Sequence, residues 1–86
     1  MRPYAVFFKP SADKALRKMP KEIQRRIVIA VNDLQDDPRP SGSMKIQGAD
    51  DLWRIRVGDY RVIYTIRDKD LIVLVLRIGH RRDVYR

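Results

Sequence analysis

The stretch Leu52 to Arg67, LWRIRVGDYRVIYTIR, decides the fold, because its apolar residues alternate on either side of Gly58 and Asp59. Period-two alternation marks half-buried strands, and Gly-Asp between two such runs marks a two-residue hairpin. Loop length then sets the register. Val57 is expected opposite Tyr60, Arg56 opposite Arg61, Ile55 opposite Val62 and Arg54 opposite Ile63. Cross-strand partners share a face, and so do alternate residues along a strand. One face therefore collects Trp53, Ile55, Val57, Tyr60, Val62, Tyr64 and Ile66, an apolar set that requires a covering layer. Trp53 belongs to that core by parity rather than to a base-stacking surface. The other face collects Arg54, Arg56, Arg61 and Arg67, with Leu52, Ile63 and Thr65 between them. Setting Arg56 against Arg61 costs up to about 1 kcal/mol. A purely structural sheet would pair arginine with glutamate or threonine. The face is either a solvated one that uses arginine for solubility or an anion cradle, which arginine suits because the planar guanidinium gives two hydrogen bonds to one phosphate and keeps its charge.

Outward from the hairpin, Leu71 to Gly79 is a third strand, apolar on both faces and so expected at the centre of the sheet. Arg77 and Arg81 share parity on it and extend the basic field, while Arg82 has the opposite parity. Upstream, Tyr4 to Phe8 reads as a short strand. Ser11 is expected to cap a first helix with apolar positions Ala12, Ala15, Leu16 and Met19. Pro20 suits the first turn of a second helix, whose stripe is Ile23, Ile27, Ala30, Val31 and Leu34. Residues 36–51 form the one loop-rich stretch, with a short extended piece at Met44 to Ile46. The order is β-α-α-β-β-β: a single α+β domain, residues 1–86, with a helical hairpin packed on one face of a small, mainly antiparallel sheet.

Composition narrows the function. The chain has 86 residues, 19 Lys and Arg against 11 Asp and Glu, and a net charge of +8. Such a balance favours a polyanionic partner, usually nucleic acid. Cysteine is absent and His80 is the only histidine, which excludes thiol chemistry, disulfides and His/Cys metal clusters. The longest apolar run, Leu71 to Leu76, falls far short of the roughly 20 residues of a membrane span. The opening residues lack the pattern of a secretory signal. A cytoplasmic domain without cofactor, metal or membrane contact is the expectation.

LWRIRVGDYRVIYTI followed by LRIGHRRDVYR resembles the RelE/ParE superfamily of toxins from type II toxin–antitoxin systems. The resemblance runs from the opening strand through MKIQG to Tyr85, and its most specific parts are GDYRVIY and GHRRDVY. It implies the same β-α-α-β-β-β order. In the RelE branch it implies a ribosome-dependent mRNA endoribonuclease acting in the A site, by attack of the ribose 2′-OH on the adjacent phosphate. The site residues carried over are Arg54 and Arg56 on the second strand, Arg61 after the hairpin, Arg81 after the last strand, and Tyr85. The best-known members have lysines in place of Arg54 and Arg56, one of them the presumed general base. Arginine stays protonated at any working pH, so here it can stabilise charge but not take the proton. With one residue after Tyr85, the C-terminal helix of some members is not expected. The resemblance also implies an acidic RelB-like antitoxin, besides the ribosome and mRNA.

Other candidates rest on residue type. Histidine is the side chain that ordinarily titrates near neutrality, which makes His80 the conventional acid–base candidate. Tyr85 suits stacking on a base. Lys45, Lys21, Arg25, Arg26 and Arg82 are candidates for RNA phosphates. A ParE-like inhibitor of DNA gyrase and a non-catalytic basic domain that binds an antitoxin or nucleic acid remain the alternatives.

Overall fold

The computed structural model describes residues 3–48 and 51–80. The elements are β1 Ala5–Phe8, α1 Pro10–Arg17, α2 Lys21–Asp33, β2 Met44–Lys45, β3 Leu52–Val57, β4 Tyr60–Arg67 and β5 Ile72–His80. They build two helices on a five-stranded mixed sheet of order β1-β5-β4-β3-β2, an α+β fold. The β3–β4 register is the one that the turn length demands, from Val57 opposite Tyr60 to Leu52 opposite Thr65. Gly58 has φ 61°, the left-handed conformation that the first residue of a type II′ turn needs and glycine adopts freely.

Helices α1 and α2 cover only the face predicted to be apolar. Ala12 and Leu16 of α1, with Ile27, Val31 and Leu34 at α2, pack on Ile55, Val57, Val62, Tyr64 and Ile66 of the hairpin. Trp53 and Tyr60 close the margin of this core. Each fully buried apolar side chain contributes about 1.5–3 kcal/mol. The Gln24 side-chain amide donates to the Met19 carbonyl at 2.7 Å and so holds the junction between the helices.

Four local expectations are corrected. Helix α1 starts at Pro10, with Lys9 rather than Ser11 as the capping residue and no side-chain cap; proline's fixed φ and missing N–H suit that first position. Pro20 is the N-cap of α2 and precedes its first turn. Leu71 stands outside β5 with φ 55°, closing the preceding turn, and the strand runs to His80. The extended piece at Met44 is a two-residue edge strand antiparallel to β3, not a three-residue one.

The strand expected at the centre is not there. β4 is central, and β5 lies between β4 and β1, with which it runs parallel. Its apolarity on both faces has a different cause. Tyr64 pairs with Val75 while Ile63 pairs with Arg77, so Leu76 is an extra residue in a bulge. Strict alternation could not bury Val73, Val75 and Ile78 together. The bulge resets the alternation, and all three reach the core.

Tyr64 is wholly buried, and its hydroxyl donates to the Pro38 carbonyl at 2.8 Å. Burial pushes its phenol from 10.0 up to about 12. The folded state thus holds this proton more tightly than the unfolded chain, so the associated stability is intact below pH 10 and lost as pH rises through 12. Between those pH values the parent should lose on the order of 2–3 kcal/mol more than Tyr64→Phe, read from urea midpoints across the range. Parallel decline of the two proteins would refute that origin. At neutral pH, Tyr64→Phe should cost about 1 kcal/mol for the lost hydrogen bond.

Candidate nucleic-acid interface

The sheet face away from the helices is where the arginines meet. Arg56 and Arg61 stand opposite each other in register, and Arg54 lies diagonal to Arg61, opposite Ile63. Ile63 is only 5% exposed although it lies on the sheet face away from α1 and α2. It stands in register between Arg54 on β3 and Arg77 on β5.

Arg54, Arg56 and Arg61 line one small cavity of about 150 Å³ with Gly42 and Met44. Arg54 Nη2 donates to Met44 Sδ at 3.1 Å, and Arg56 Nε donates to the Gly58 carbonyl at 3.0 Å. Arg61 differs from both. Its Nε and Nη1 are buried and meet no acceptor among the described residues. Buried donors are normally paired, and an unpaired one costs about 1–3 kcal/mol. Two such donors in a cavity walled by two further guanidinium groups suit a phosphate, which brings both charge and acceptors. Beside it, a second cavity of about 570 Å³ runs past Arg56 to Ser41, Gly42, Gly58 and Asp59.

Lys45, His80, Arg25 and Arg26 do not share this face. Lys45 pairs with Trp53 and His80 with Tyr60, so both have the parity of the helix-covered side. His80 sets its ring edge-on to Tyr60, centroids 5.7 Å apart, at the sheet end. Arg25 lies on α2, 3.6 Å from Glu22, on the far side of the sheet. Arg26 reaches the hairpin turn: its Nη1 is 3.5 Å from where a Gly58 side chain would start. Arg81, Arg82 and Tyr85 lie outside the described residues.

Sequence reasoning missed the part played by loop residues 36–43. Arg39 grips the Asp68 carboxylate with both terminal nitrogens, at 3.2 and 2.9 Å, and Tyr4 donates to the same carboxylate at 2.6 Å. These donors hold the Asp68 carboxyl below its usual range, Arg39 foremost. The Arg39 guanidinium also lies over the Trp53 ring, 5.3 Å from its centroid. This clasp ties the loop to the sheet, and Met44 meets the arginines through its own pairing with Arg54. The only signal for it was the short extended piece at Met44.

The family described as the ParE toxin of type II toxin-antitoxin system, parDE, matches residues 6–85. Toxin RelG of Mycobacterium tuberculosis is 35% identical over 85 residues, covering 98% of each chain. Among solved structures, the archaeal RelE-RelB complex from Pyrococcus horikoshii OT3 matches with TM-score 0.83 and 33% identity, over 95% of this chain and 99% of that one. The RelBE2 toxin-antitoxin complex of Mycobacterium tuberculosis matches with TM-score 0.79 and 34% identity, over 96% and 97%. The chain belongs to the ParE toxin family of type II toxin–antitoxin systems, within the RelE/ParE superfamily.

The geometry makes Arg61 costly to the free domain. Arg61→Met keeps the aliphatic stem and removes two unpaired donors and one of two facing charges. It should raise the stability of the free domain by about 1 kcal/mol, seen as a higher urea midpoint, while weakening binding of single-stranded RNA. A destabilised Arg61→Met protein would show that those donors are satisfied in solution.

Proposed function

We propose that this toxin is a ribosome-dependent endoribonuclease that cuts mRNA in the ribosomal A site. The ribose 2′-OH attacks the adjacent phosphate, leaving a 2′,3′-cyclic phosphate and a free 5′-OH. The observation that carries this reading is the pair of buried donors of Arg61 without a partner among the described residues, in a cavity shared with Arg54 and Arg56. In it, Arg61 and Arg54 hold the non-bridging phosphate oxygens, and Arg56 stabilises the developing 2′-oxyanion. Arg81 serves the leaving group and Tyr85 stacks on a base; His80, on the parity of the opposite face, is set apart from this cavity. Without a strong base among the clustered arginines, the rate depends on a substrate held for in-line attack, and the ribosome supplies that hold. The partner that silences the site is an acidic antitoxin of the RelB kind, which such a basic face would attract quickly and in a salt-sensitive way. The RelB complexes of the similar toxins support this reading. The gyrase-inhibitor alternative draws its support from the ParE description of the matching family.

One experiment separates them. Purified toxin is assayed for mRNA cleavage with and without translating ribosomes, and for gyrase supercoiling in parallel. Cleavage far faster on ribosomes than on free RNA, with supercoiling untouched, is the expected result; inhibited supercoiling without cleavage would replace it by the gyrase reading. Arg61→Ala should lower the single-turnover rate by about 10²–10³, the usual cost of one transition-state donor. Arg56→Lys should retain or raise activity and steepen its rise toward alkaline pH, because lysine beside two arginines deprotonates more readily.

A further inference from the structure

Met44 is 54% exposed on β2. It pairs with Arg54, so its side chain stands on the arginine face, where its Sδ accepts the hydrogen bond from Arg54 Nη2. It also forms a wall of the 150 Å³ cavity that contains Arg56 and Arg61. A thioether is a weak acceptor and yields easily to an incoming phosphate. Met19, by contrast, is half-buried against the core.

We infer that Met44 is an oxidation site through which peroxide closes the arginine cavity to anions; this rests on the reading that the cavity takes RNA phosphate. Hydrogen peroxide transfers one oxygen atom to Sδ: the O–O bond breaks, an S–O bond forms, the thioether becomes a sulfoxide and the peroxide leaves as water. The sulfoxide oxygen carries partial negative charge and projects one bond beyond the sulfur, toward the guanidinium groups. It is a strong acceptor where the sulfur was a weak one. It engages Arg54 and, in so small a cavity, the unpaired donors of Arg61, at the place a phosphate oxygen would occupy. The protein's net charge is unchanged, so the block is local. Sulfoxide reductases return the thioether, which makes the block reversible.

The test treats purified toxin with hydrogen peroxide and follows each methionine by peptide mass spectrometry. Met44 should gain its oxygen about tenfold faster than Met19, as exposure dictates. Affinity for a fluorescent single-stranded RNA should fall about tenfold with that modification, on the scale of a charge-assisted hydrogen bond. It should recover on treatment with methionine sulfoxide reductases A and B. In Met44→Leu, whatever its starting affinity, peroxide should change nothing further. Arg54 and Arg61 side-chain N–H resonances, titrated with inorganic phosphate, give a reading that needs no RNA. Reduced toxin that binds phosphate there but no RNA would defeat the nuclease reading, while weaker phosphate binding after oxidation would still support this one. Equal oxidation of Met19 and Met44, or a Met44 sulfoxide that leaves phosphate and RNA affinities unchanged, would overturn it.

Discussion

The two-residue turn at Gly58 and Asp59 is the constraint on which the rest depends. It allows one register between β3 and β4, and that register assigns every side chain of the hairpin to a face. A slip by one residue would move the apolar set of one strand from the helices into water, Ile55 and Val57 of β3 or Val62, Tyr64 and Ile66 of β4. It would also drive that strand's arginine, Arg56 or Arg61, into the core. The same short loop therefore supplies both the hydrophobic core and the basic field, and neither can be shifted without the other.

Pairing Arg56 with Arg61 is unfavourable in isolation, and the buried donors of Arg61 add to the cost. The domain tolerates this because the opposite face is densely packed, with Ile27, Val31, Leu34, Val62, Tyr64, Val73 and Val75 fully buried. Stability is concentrated on one side of the sheet and strain on the other. A bound anion would bring acceptors to Arg61 Nε and Nη1, which meet none among the described residues.

The loop between α2 and β3 links the two sides. Tyr64 reaches from the core to hold Pro38, and Arg39 bridges Asp68 and Trp53. Those anchors sit at the end of the sheet away from the Gly58 turn. The floor of the arginine cavity is set by β3 and β4, and its wall by Gly42 of this loop and by Met44, which β2 pairs with Arg54.

Much of this was legible in the sequence because it is written in local signals. Alternation and turn length gave the β3–β4 register and the Arg54, Arg56, Arg61 face; helical spacing gave the buried positions of α1 and α2. The position of β5, its bulge at Leu76 and the parallel pairing of β1 were not legible. Nor was the separation of Lys45 and His80 from the arginine face, or the approach of Met44 to Arg54. These depend on contacts between residues far apart in the chain, where no periodic pattern connects the partners. A strand carries its own alternation wherever it lies, but its neighbour and register are chosen by what the whole core must bury.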